Sequence, residues 1–185
     1  DATLSQVLGQ SAIFPPDDYR APLPMFVMRQ AGLRRFSNDS VFLEAARHVD
    51  EQPGHQRVEL GSVFLKYLGE NSDSLKWPTK SYSALGRLRI FPVIDALGSE
   101  HHMPPTRAAT GGAPVRAVSL DGAVTLFRHA AAVWTRAFLL DPAVFDAWPD
   151  ELWRKFGSLG QTPPLSMVVD NLEAVVARWA AADGT

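Results

Sequence analysis

Three observations predict an α+β chain that is helix-dominated, with an N-terminal helical cluster, a small mid-chain sheet and a C-terminal amphipathic helix. Apolar residues recur at helical spacing in three segments, 41–49, 60–68 and 165–179. Two short apolar runs, 88–94 and 115–118, stand between the second and third of these and have the length of strands. The stretch 98–114 between the two runs holds three Gly and three Pro among polar residues, which marks a surface loop. A loop this long in a compact domain is usually functional or mobile.

Taken in order, Leu4, Val7 and Leu8 share one face of a short first helix that Gly9 ends. Pro15 and Pro16 force an extended segment, beside which Asp17 and Asp18 read as caps of the next element rather than as catalytic carboxylates. A short helix over 23–30 follows and closes at Gly32. Ser37 or Asn38 caps a better one. Val41, Phe42, Ala45, Ala46 and Val49 take its inner face, Glu44 and Arg47 its outer face, and Pro53 with Gly54 stops it. Leu60, Val63, Phe64, Tyr67 and Leu68 form the stripe of a further helix that runs to Gly69.

The character changes at Asn71. Trp77-Pro78 begins an extended stretch, residues 82–88 make a helical turn, and 88–94 reads as a buried strand. Pro92 confines that strand to a sheet margin, because proline donates no ladder hydrogen bond. Residues 115–118 resume extended structure, Ser119 caps a short turn through Leu126, and 130–135 reads as a second buried extended run. Pro142 opens a helical segment with Val144, Phe145 and Trp148, which Pro149 interrupts before Leu152, Trp153 and Phe156. The closing helix follows Thr162 or Pro163 and accepts Pro164 in its first turn. Leu165, Val168, Val169, Leu172, Val176 and Trp179 line one stripe of it. These elements divide into a helical subdomain over 1–75 and a mixed α+β subdomain over 76–185, packed as one unit.

At 185 residues the chain has room for one domain or two small ones. It can bury roughly 70% of its unfolded surface, so a core forms without staples. The lack of cysteine removes disulfides, thiolate zinc sites and cysteine catalysis. A formal charge of −2 gives no drive toward nucleic acid or acidic membranes, so neither is expected as a partner. The longest apolar run is too short to cross a bilayer, and the N-terminus has no basic region leading into an apolar one, so a cytoplasmic place is expected. Asp1 at the start and Ala-Asp-Gly-Thr at the end read as the bounds of a piece of something longer.

Residues for chemistry are scarce. His101 and His102 stand together in the long loop, while His48, His55 and His129 are isolated, and none has the paired spacing of a zinc site. With Asp17 and Asp18, His101 and His102 define the alternative of a small metal-dependent hydrolase. No nucleophile elbow, phosphate loop or dinucleotide fingerprint occurs; Gly111-Gly112 reads as a turn and Asp170-Asn171 as a polar helix face. No catalytic residue, metal site or cofactor is therefore expected. Arg29, Arg34 and Arg35 form a basic cluster suited to a phosphate or an acidic partner, or else a solvated face beside acids such as Asp39 and Glu44. Most of the five Trp belong in the core, with Trp77 and Trp148, set beside prolines, as candidate anchors for a protein partner. A helical adaptor built on these residues is a further alternative.

What remains is an order of short phrases. Phe14-Pro15 through Pro22 leads to Met28 through Leu33 and then Ala45-Ala46-Arg47. Ile90-Phe91-Pro92-Val93, Val118-Ser119-Leu120 and Trp134-Thr135 come next, and Leu159-Gly160, Pro164 and Val168 through Leu172 close the series. In this order the phrases resemble the large repeats of sacsin and sacsin-like giant proteins, over roughly residues 8 to 180. One phrase departs from the pattern, since this chain has Ile-Phe-Pro-Val where the family usually carries a longer Pro-Phe-Val-Pro form. The resemblance implies a non-catalytic, downstream segment of a repeat in a cytosolic chaperone-like scaffold. Such a segment binds protein clients or neighbouring domains, including an adjoining GHKL-type ATPase module. The acidic-Asn helix, Asp-x-Gly phrase and glycine-rich lid of that module are missing here, as are the His-Pro-Asp of a J-domain and the Arg-x-x-x-x-His of a HEPN domain.

Overall fold

The computed structural model describes residues 38–72, 76–94, 115–121, 130–146, 148–156 and 162–183. Among these the fold is α+β and helix-dominated, with a three-stranded antiparallel sheet. Helix α1 (Asn38–Glu51) buries Phe42, Ala45, Ala46 and Val49 and leaves Glu44 and Arg47 outside, where they pair at 3.0 Å. The two alanines let α2 (Gly54–Glu70) approach closely. Pro53 stands between the helices with φ −58° and ψ 156°, a conformation that ends one helix and starts the next.

Helix α2 carries the densest inner face. Val58, Phe64, Leu65 and Leu68 are buried, and Leu60, Val63 and Tyr67 pack at the edge of the same core. Two glycines on that face are there for closeness. A Cβ at Gly61 would stand 2.5 Å from the backbone carbonyl oxygen of Ile90, and one at Gly69 would stand 2.6 Å from Cδ1 of Trp148. Gly69 therefore does not stop the helix, which runs on to Glu70 and is closed by Asn71, whose side-chain amide donates to the Tyr67 carbonyl at 2.9 Å.

Helix α3 (Thr79–Gly86) follows the extended Trp77-Pro78 and is tied to α1 where the Ser81 hydroxyl donates to Asp39 at 2.8 Å. Strand β1 (Phe91–Ile94) is buried along its whole length. It lies between β2 (Val115–Val118) and β3 (Leu139–Leu140), with Phe91 opposite Val118 and Val93 opposite Leu140. Pro92 is thus in the central strand, against the expectation of a margin. Its carbonyl accepts the Asp141 N–H at 3.1 Å, so its nitrogen faces the same side, where β3 has already ended. The ladder toward β2 is carried by its neighbours Phe91 and Val93 and loses nothing. The Asp141 carbonyl, with no N–H to receive from Pro92, accepts instead from Val144 and Phe145 and begins helix α4 (Pro142–Phe145). The Asp141 carboxylate caps that helix through the Ala143 N–H at 3.1 Å.

Residues 130–135 are not the expected extended run. Ala130–Val133 is a 3-10 turn with Ala131 and Ala132 exposed, closed by the Arg136 and Ala137 N–H groups on the Val133 carbonyl. Alanine has no branched side chain to fill a pleated surface, and the real strand comes later, at the leucine pair. Helix α5 (Asp150–Lys155) buries Leu152 and Trp153, and helix α6 (Leu165–Asp183) ends the described chain. The main core runs from Phe42 to Phe156 and draws on both the 38–72 and 76–156 segments. Its centre is a chain of rings, in which Tyr82 and Phe91 each meet Phe156 edge-on at 5.4 and 5.6 Å and Trp148 stacks on Phe156 at 5.4 Å. The expected helices at 4–9 and 23–30, the loop 98–114 and the turn toward Leu126 lie outside the described residues.

Gly69→Ala is expected to lower stability by about 1–3 kcal/mol, because Trp148 is held on the Leu65 carbonyl by its indole N–H at 3.0 Å and has no room to retreat. Gly54→Ala, whose Cβ meets nothing within 4 Å, is expected to be neutral or to stabilise by up to about 1 kcal/mol. Urea unfolding of the two variants checks both.

Candidate functional site

Helix α6 seats itself through one narrow face. Met167, Val168 and Val175 pack against a second core cluster made by Ile94, Ala130, Val133, Trp134, Ala137 and Leu139. Among those apolar side chains lies Asn171, only 4% exposed. Its Oδ1 accepts the Thr135 N–H at 2.9 Å and the Thr135 hydroxyl at 2.7 Å. Thr135 is itself buried, in the turn that follows the 3-10 segment, so both donors have left water. Two turns further on, the Arg178 guanidinium lies 5.4 Å from the centre of the Trp134 ring.

Of the stripe read from the sequence, Val168 faces inward and the other five residues point the other way. Leu165 is 78% exposed, Val169 44%, Leu172 58%, Val176 65% and Trp179 57%. Glu173 borders it on the polar side, with Asp170 further round the helix, and both are exposed. Five large apolar side chains in line on one helix form a patch of several hundred square ångströms, the size at which an exposed surface marks an interaction site. What this arrangement offers chemically is a rigid, dry-natured ridge for another apolar surface, with no reacting group on it.

The residues singled out from the sequence fall elsewhere. Arg29, Arg34 and Arg35 lie outside the described residues, as do Asp17, Asp18, His101, His102 and His129. Trp77 is 9% exposed, 4.9 Å edge-on to Phe42 and 5.4 Å from Tyr82. Trp148 is 3% exposed and anchored on Leu65. A position beside proline sets the direction of the backbone and not the depth of the ring, so both indoles are packing residues and neither offers its face to a partner. His48 is half-buried beside Gln52, whose side-chain nitrogen stands 3.3 Å from its ring, and His55 is exposed. Among the described residues no three His, Asp or Glu side chains come together as a metal site.

Lys155 has a pKa raised above the ordinary lysine value. Burial works against its charge, but the hydrogen bond to Glu151 at 3.2 Å and the neighbouring Tyr82 outweigh that. A raised lysine pKa adds stability that is complete below the unfolded value and is lost as pH rises through the folded one, so this contact contributes throughout the neutral range.

No helix among the described residues is long and apolar enough to cross a membrane. The chain matches no protein-family model, and no curated protein and no solved structure is significantly similar to it.

The residue that sequence reading missed is Asn171, read as part of a polar face. The signal was its spacing from Val168 and Val175, three before and four after, which puts all three on one side of the helix. Asn171→Leu leaves the two Thr135 donors unpaired and is expected to cost about 2–4 kcal/mol. Amide hydrogen exchange should show α6 losing protection before the main core does, whereas exposed Asp170→Ala should change neither.

Proposed function

We propose that this chain is a non-catalytic, protein-binding segment of the sacsin-like type, working within a larger cytosolic scaffold. Its role is to hold protein clients or to pack against an adjoining GHKL-type ATPase module. The observation that carries the reading is the outward apolar ridge of α6, a surface made for protein and not for a small polar substrate.

The way the ordered phrases meet in space adds support. Phe91 of one phrase pairs with Val118 of the next. Thr135 of the Trp-Thr phrase donates twice to Asn171 within the last phrase. Ala45 and Ala46 of the Ala-Ala-Arg phrase are completely buried. These phrases act as contacts that assemble a fold, which suits a structural and docking element. The basic cluster Arg29, Arg34 and Arg35 is a second place where an acidic partner segment would attach.

The test is capture of a chemically unfolded model protein, followed by light scattering. The wild-type chain is expected to suppress aggregation, and Leu172→Glu/Val176→Glu is expected to lose most of that effect with its helix content unchanged. Calorimetry should detect no ATP binding. Rapid turnover of a small substrate, or client capture that survives the double substitution, would count against the proposal.

A further inference from the structure

We infer that the outward ridge of α6 is a self-pairing surface, on which a second copy of this chain docks its own α6 to form a two-stranded coiled coil. This inference rests on the protein-binding reading of that face and names its occupant.

The spacing comes first. Leu165, Val169, Leu172 and Val176 follow one another at intervals of four, three and four residues. That is the alternation of a heptad seam, with a period of 3.5, and is narrower than the broad apolar face of a helix that packs on a globular core. Trp179 stands three residues further on in the same line and is 57% exposed. Residue type comes second. In heptad terms Val169 and Val176 take the a positions and Leu165 and Leu172 the d positions, and valine at a with leucine at d is the combination that favours two strands.

Geometry allows the approach. At 100° per residue, the face that seats α6 on its own domain, centred on Asn171, lies roughly 120° round the helix from the ridge. The helix is also already formed and already oriented. The nucleation cost that makes a short free helix marginal has been met by its contacts with Trp134 and Thr135. Glu173 is the one acid among the positions that border the seam, so no run of like charge opposes a second copy.

The area available is modest. Pairing two such ridges would bury on the order of 1,000 Å² in total, just under the roughly 1,200–2,000 Å² of standard specific complexes. Dimerisation is therefore expected in the micromolar range and to be reversible.

Sedimentation equilibrium from about 0.5 to about 200 μM, the range where interfaces of this size associate, tests the inference. The wild-type chain is expected to pass from monomer to dimer. Leu172→Glu/Val176→Glu should raise the midpoint by at least roughly a hundredfold, and single Val176→Glu by less. Circular dichroism and urea unfolding at low concentration should match the wild type in both, since the replaced side chains are exposed in the monomer. A wild type that stays monomeric throughout, or a dimer that survives both variants, would overturn the inference. A monomer that still captures an unfolded client through Leu172 and Val176 would overturn self-pairing alone and leave the wider protein-binding proposal standing. A monomer in which neither association is found would overturn both.

Discussion

The two hydrogen bonds from Thr135 to Asn171 decide how α6 sits, and the character of the outer surface follows from that. A helix with apolar residues on two sides has two ways to lie against its domain. Turning it to bury Leu165, Val169, Leu172 and Val176 would take Asn171 away from Thr135 and leave a buried N–H and a buried hydroxyl without an acceptor. Each such orphan costs about 1–3 kcal/mol. The turn would also remove Met167, Val168 and Val175 from Trp134, Val133 and Leu139, where they are already packed. The polar pair selects one rotation; the apolar neighbours make it tight.

The outward face keeps a large unused gain. Fully burying a valine or leucine is worth roughly 1.5–3 kcal/mol, and four of them stand between 44% and 78% exposed on one line. Scattered apolar residues on a surface are ordinary, whereas a contiguous line of them is the kind of surface that marks interaction sites. The described elements beneath that helix set its position. The ring cluster from Phe42 to Phe156 fixes α2 against β1, Pro92 hands the Asp141 carbonyl to α4, and the turn around Thr135 is carried between β3 and the 3-10 segment.

Where periodicity and burial agree, the sequence was legible. The inner face of α1 and part of that of α2 follow from spacing alone, as do the extended 115–118 segment and the start of α6. Where structure and expectation differ, a contact from elsewhere in the chain overrides a local rule. Pro92 breaks only the side of the ladder it faces, and that side had already ended. Gly69 looked like a helix stop because glycine often is one, while Trp148, from a segment far along the chain, is what requires it. Trp77 and Trp148 were read as anchors from their prolines, although their depth is set by Phe42, Tyr82 and Leu65. In α6 the sequence shows one broad apolar stripe, yet only its Val168 edge is buried, together with Met167, Asn171 and Val175. Only the position of Thr135 explains that choice, and no pattern within the helix contains it.

The orientation of α6 is open to a direct measurement because the natural chain has no cysteine. Single substitutions Val175→Cys and Val176→Cys place a thiol on adjacent residues, one against the Trp134 cluster and one on the ridge. Maleimide labelling at nanomolar protein, where copies are apart, compares their rates. The account predicts that Cys at 176 reacts at close to the rate of a free thiol and Cys at 175 many times more slowly. Equal rates, or the reverse order, would contradict it.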